Sequence, residues 1–246
     1  MDLLINHRSV RQFKPTQIPD KLIAEILESG IRASNTGNMQ LYSIVVSRDL
    51  QKKNELAPFH FNQKMIMEAP VLLTICFDFN RFLKWCKLNN TTTDFTNLLW
   101  LINGAVDSSI LAQNICIASE FRELGICYLG TTLYNAPEIS GVLNLPRGVI
   151  PITAICVGYP ETIPDLTSRL PLNAVVHFET YTDYTDQEIG SYYADMEQLE
   201  TSRKFVQENN KENLAQVFTE VRYKTSDSLF FSEKLKNMLI QQGFSL

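Results

Sequence analysis

Apolar positions change period several times along the chain, and each change marks an element. After Ile18-Pro19-Asp20, the residues Leu22, Ile23, Ile26, Leu27 and Ile31 recur at helical spacing. They predict a helix over residues 20 to about 33, with Asp20 as its N-cap. Ser34-Asn35-Thr36-Gly37-Asn38 breaks that pattern with turn chemistry. Residues 42–47 form a short β-branched strand, 57–63 a loop, and 71–77 an unbroken apolar run after Pro70. Such a run fits a central strand buried on both faces. Over residues 94–124, from about Asp94, apolar residues wrap most of the circumference of one long helix. It is expected at the centre of the fold and to end at Gly125. A strand at 126–129 then runs into Gly130-Thr131-Thr132, followed by a short helix near 137–143 and a strand over 151–157.

Beyond these, residues 164–171 make an extended loop bracketed by Pro164 and Pro171. Helical patterns near 186–199 and 229–242 flank the polar run 201–227, which is expected to be a mobile arm or a plain solvated connector. No internal repeat is visible. Strands alternating with helices indicate an α/β or α+β single domain spanning residues 1–246.

Composition narrows the function classes. In 246 residues, 45% hydrophobic and 20% charged content is ordinary for a globular chain with a sizeable core. A net charge of −5 argues against a nucleic-acid binder, so any anion site must be local. The apolar stretch from Leu98 is interrupted by Asn103, Asp107, Ser108, Ser109, Gln113 and Asn114, which argues against a membrane span. Of five cysteines without a CxxC pair, four lie in apolar segments and fit small hydrophobes in a reducing cytoplasm, with neither a metal site nor a disulfide expected. The first six residues carry no secretory pattern, in keeping with a cytoplasmic location.

Familiar catalytic devices are missing: no GxGxxG after a strand, no phosphate-binding lysine loop, no GxSxG and no HExxH, while His60 and His177 stand alone. No side chain is therefore assigned as catalytic, and a cofactor is expected to carry the hard step. The positive signals concern binding. His7-Arg8-Ser9-Val10-Arg11 places two guanidiniums and a hydroxyl within five residues, a compact anion trap. Arg169, in the proline-bracketed loop, is a second candidate for the same anion. Asn35 and Gln63 are uncharged donor–acceptors suited to the edge of a heterocycle. Tyr128-Leu129-Gly130-Thr131 ends a strand with a glycine, where a flat ring can approach the backbone. A phosphate trap, amide readers and a close backbone approach are the parts that flavin mononucleotide (FMN) requires.

In this order and spacing, His7-Arg8-Ser9-Val10-Arg11-Gln12-Phe13, the 33–40 turn and Gln63-Lys64 resemble the nitroreductase family. Ala112-Gln113-Asn114, Tyr128-Leu129-Gly130 and Arg169-Leu170-Pro171 continue the match, which covers roughly residues 1–200. It is strongest to the subgroup of oxygen-insensitive NAD(P)H nitroreductases and NADPH–flavin oxidoreductases.

The resemblance implies an α+β fold with a central mixed or antiparallel sheet flanked by helices, a long central helix, and an intertwined homodimer. A C-terminal helix over 228–246 follows the arm. It further implies FMN held at the phosphate end by His7, Arg8, Ser9, Arg11 and Arg169. Asn35 and Gln63 would contact the flavin, Tyr128, Leu129 and Gly130 would line the ring, and Gly130 or Thr131 would offer a backbone N–H near flavin N5. The implied reaction is two-electron ping-pong hydride transfer from NADH or NADPH through FMN to a small-molecule acceptor: nitroaromatics, quinones or flavins. The alternatives are an FMN-binding dimer without turnover, or a specialised member performing dehalogenation or flavin fragmentation. Two departures stand out: Thr131 occupies the place of the subgroup's second glycine, and Thr167 that of a lysine. In the arm, Glu208 and Glu212 dilute Arg203 and Lys204, so NADH is expected to serve as well as NADPH or better.

Overall fold

A computed structural model of the chain describes residues 1–93 and 95–245. Four strands, β1 (Tyr42–Ser47), β2 (Val71–Asp78), β3 (Gly125–Leu129) and β4 (Val149–Gly158), form one sheet in the order β1-β2-β4-β3. Every pairing is antiparallel. β2 is interior and buried at every residue, as its unbroken apolar run predicts. The β2–β4 register slips between Ile75 and Cys76, where Pro151 enters β4 without a donor for the ladder.

Helix α1 (Asp20–Gly30) follows the predicted pattern, but Pro19 takes the cap position and Asp20 lies inside the first turn, its carboxylate paired with Arg48. Helices α2 (Leu50–Leu56) and α3 (Asn80–Leu88) were not expected from periodicity. α2 nonetheless carries a readable start, since the Asp49 carboxylate accepts from the Lys52 N–H at 2.9 Å. The expected 57–63 loop is a 3-10 helix at Ala57–His60 followed by two left-handed residues, Phe61 and Asn62.

The long helix α4 (Leu98–Phe121) packs on α1 and across the sheet, where Leu111 and Ile115 join Ile26, Leu73, Ile75, Ile126 and Ile155 in the main core. Asp94, its expected start, lies outside the described residues. The cap is Asn97, whose side chain accepts from the Trp100 N–H. The helix is central, as expected, but only one of its faces is covered. Gly104, Asp107, Ser108 and Ser119 turn inward with the core residues, while Leu99 (63%), Ile102 (51%), Val106 (50%) and Phe121 (72%) are exposed. Small residues face inward because the approach is close: a Cβ on Gly104 would fall 2.2 Å from the Phe77 ring. Among the described residues α4 is the one helix long and apolar enough to cross a membrane, yet its inner face is taken up by the sheet.

Gly125 does not end α4, contrary to expectation. The left-handed position is Glu123 (φ 60°), with Glu123 N–H donating to Glu120 O and Leu124 N–H to Ser119 O, each at 3.0 Å. That is the Schellman arrangement built without glycine. Gly125 instead opens β3, and its missing Cβ admits Val10, whose side-chain atoms would otherwise lie 2.7 Å away. Helix α5 (Ala136–Val142) follows near its expected place.

The chain forms two compact units: Met1–Asp165 with the segment from Phe231, and Leu166–Phe230. The second unit begins extended and then carries α6 (Asp186–Gln198), opened by a Thr185–Glu188 capping box, and α7 (Glu200–Glu208). Much of the polar run 201–227 is therefore helical. It is tied by Lys211–Glu220 at 2.7 Å and by the Arg222 guanidinium 4.3 Å above the Phe205 ring. Helix α8 (Thr225–Gln241) starts in this unit and ends in the first. There Met238, Leu239 and Phe244 share a core cluster with Phe77, Phe79 and Ile150.

Candidate functional site

The N-terminal segment runs along the outer edge of β3. Ser9 makes a parallel bridge to Ile126, and Val10 N–H donates to Ile126 O at 2.8 Å. His7 is half-buried, its Nδ1 2.7 Å from Glu120 Oε1 near the end of α4, so it is an oriented group rather than a free cation. Arg8 donates through Nη1 to Asn6 O at 3.1 Å, while its Nε is buried without a partner among the described residues. Among the described residues the Arg11 side chain donates only to Ser9 O, at 3.4 Å. Neither arginine has a carboxylate within ion-pair distance among the described residues, whereas Arg48 pairs with Asp20 and Arg122 with Glu25. Two uncompensated guanidiniums and an orphaned buried N–H make a local demand for an anion.

Asn35 lies in a turn where Gly37, Asn38 and Gln40 all adopt positive φ. The turn is pinned to α4 by Asp107, whose buried carboxylate accepts from Thr36 N–H at 3.0 and 3.1 Å and from Thr36 Oγ1 at 3.0 Å. Asn35 Oδ1 accepts from Gln40 N–H at 3.1 Å, and the residue is half-buried. Its anchor is thus α4 rather than β3.

Gln63 is joined to the end of β3 through its loop. Gln63 N–H donates to His60 O at 3.3 Å, and His60 Nδ1 lies 2.8 Å from Thr131 Oγ1. Asn135 Nδ2 donates to Phe59 O at 2.8 Å, adding a second tie between the same two segments. Gly130 is exposed, with open space where a Cβ would stand. Tyr128 is half-buried and burial raises its hydroxyl pKa, so it remains a neutral donor. Leu129 points its side chain into the core with Leu72 and Ile139, which leaves only its backbone to line a site. Arg169 lies in the second unit, exposed, with Nη1 donating to the carbonyls of Thr167 and Ser168 at 3.2 Å.

β3 therefore gathers most of the first unit's predicted residues, with Ser9 beside its start and Thr131, His60 and Gln63 beyond its end. His60 and Asp107 were not singled out from sequence. Each acts on a partner 71 positions away, and no local pattern carries that separation.

The model of the Nitroreductase family matches residues 4–159. The chain belongs to the nitroreductase family. It is 34% identical over 204 residues to an NADPH-flavin oxidoreductase of Vibrio harveyi, covering 82% of this chain and 83% of the relative. Among solved structures, a Bacteroides fragilis protein superposes with a TM-score of 0.98 at 46% identity, over 100% of both chains. The V. harveyi NADPH:FMN oxidoreductase complexed with NAD+ superposes at 0.75 with 31% identity, over 88% of this chain and 94% of that one. The motifs that suggested this nitroreductase lie mostly within the matched span, while Arg169 falls beyond it.

Proposed function

We propose that this nitroreductase is an FMN-dependent NAD(P)H oxidoreductase that passes two electrons to a small-molecule acceptor: a nitroaromatic, a quinone or a flavin. The observation that carries the reading is the uncompensated Arg8–Arg11 pair, with the orphaned Nε of Arg8, on the segment that bridges the start of β3, the strand that leads to open Gly130. The donor set fits FMN: arginines and Ser9 for the phosphate end, neutral amides of Asn35 and Gln63 for the ring edge, and an unobstructed backbone for the ring. Bound there, FMN supplies the hydride chemistry. The chain's own work is to hold and orient. Glu120 fixes His7, Asp107 fixes the turn bearing Asn35, and His60 with Asn135 fixes the loop bearing Gln63.

The reading includes a homodimer, because the exposed apolar stripe of α4 needs a cover and a second copy of the chain offers the same surface. Purified protein with FMN should be yellow, and anaerobic NADH or NADPH should bleach the flavin band. Arg8→Glu, which sets a carboxylate against a phosphate, should release the cofactor. Protein that takes up no FMN would sink the proposal. FMN that stays oxidised with both nicotinamides would leave a binding protein, and unchanged FMN affinity in Arg8→Glu would remove that arginine from the site.

A further inference from the structure

His60 is fully buried, and its Nε2 has no partner among the described residues. A polar nitrogen buried without a partner forfeits its hydration for nothing in return. The backbone beside it adds strain, since Phe61 holds a φ of 55°, a conformation bulky side chains avoid. Two conflicts side by side in a well-packed unit suggest that the imidazole serves the site rather than the fold.

Its one described partner is the Thr131 hydroxyl at 2.8 Å. Thr131 is half-buried, follows exposed Gly130 and stands within reach of whatever lies at the open end of β3. The two segments cannot drift apart easily. Asn135 ties them through Phe59 O, and Lys234 Nζ holds Asn135 Oδ1 and Glu138 Oε1, each at 2.7 Å.

Desolvation pushes the His60 pKa down to about 4, so the ring is neutral and carries a single proton. Two tautomers are available. With the proton on Nε2, a buried N–H is left without an acceptor, which folded proteins rarely tolerate. With the proton on Nδ1, the orphan is only a lone pair. The ring then donates to Thr131 Oγ1, and the hydroxyl proton is turned away from His60.

We propose that His60, through Nδ1–H, positions the Thr131 hydroxyl as an outward hydrogen-bond donor to the ring of the bound cofactor. Thr131 is the contact and His60 the positioning residue. The inference rests on the FMN reading above, and it assigns a side chain to a place where the resemblance offered only a backbone N–H.

Nitrogen-15 NMR of the cofactor-free protein reads the tautomer directly. A protonated Nδ1 on His60 is expected, and a protonated Nε2 would overturn the assignment. FMN affinity, oxidised and reduced, is then compared in wild type, Thr131→Val, Thr131→Ser and His60→Phe. Thr131→Val should change the ratio of reduced to oxidised FMN affinity about tenfold, which moves a two-electron midpoint potential by about 30 mV. Thr131→Ser should restore the ratio to within about twofold. His60→Phe should reproduce Thr131→Val, and the double variant should add nothing further. An unmoved ratio in Thr131→Val with FMN still bound, or no rescue by serine, overturns the pair and leaves the FMN reading standing. Wild-type protein that takes up no FMN overturns both.

Discussion

Burial alone accounts for the depressed pKa of His60, which makes this residue a term in stability as well as in the site. The unfolded chain binds a proton near the ordinary histidine value of 6.5, while the folded chain resists it until about pH 4. Stability from the neutral ring is therefore intact above pH 6.5 and is lost as the pH falls toward 4, by about 3 kcal/mol in all. Urea unfolding at pH 7 and pH 4.5 should show that loss in wild type and about 2–3 kcal/mol less of it in His60→Phe. Equal losses in the two proteins would mean that the ring is not held neutral. At this scale, legibility depends on distance along the chain. Arg8 and Arg11 could be read because their partners in chemistry are neighbours in sequence. The role of His60 could not, because Thr131 meets it only once β3 and the 57–63 loop are folded.

Secondary elements were legible where one pattern dominates. β1 and β2 follow from β-branched and unbroken apolar runs, and α1 from a helical stripe. The end of α4 was misjudged because glycine has two uses. Gly125 admits the side chain of Val10, and the left-handed turn before it falls to Glu123. Glutamate in that conformation is strained where glycine is not. Glu123→Gly should therefore raise stability by about 0.5–1 kcal/mol, seen as a higher Tm with unchanged FMN affinity. A Tm at or below wild type would mean that the glutamate side chain contributes more than its backbone costs. The orientation of α4 was not readable either. Its apolar residues surround the axis, so only the folded sheet decides which face is covered, and that face carries Asp107, Ser108 and Ser119.

For the whole molecule, the α+β fold and its long helix were legible through the family resemblance, whereas the wholly antiparallel pairing and the second unit were not. The proline-bracketed loop over 164–171 lies at its boundary after Asp165, but such a loop reads as a connector within one domain as readily as a border between two units. The apolar outer face of α4 belongs to this scale, since no element of the first unit covers Leu99, Ile102 and Val106. Val106→Asp should place a charge in the proposed subunit contact. Sedimentation velocity should then show a dimer for wild type and monomer or aggregate for the variant, and a Val106→Asp protein that stays dimeric would move the contact elsewhere. The first unit is also discontinuous: Leu166–Phe230 is spliced between its main body and its last helical turns. Phe77, Phe79 and Ile150 wait for Met238, Leu239 and Phe244, which leave the ribosome some ninety residues after β4 begins. During synthesis, then, the sheet can pair early while one wall of its core stays wet. The nascent chain depends on whatever shields those phenylalanines until residue 244 has been made.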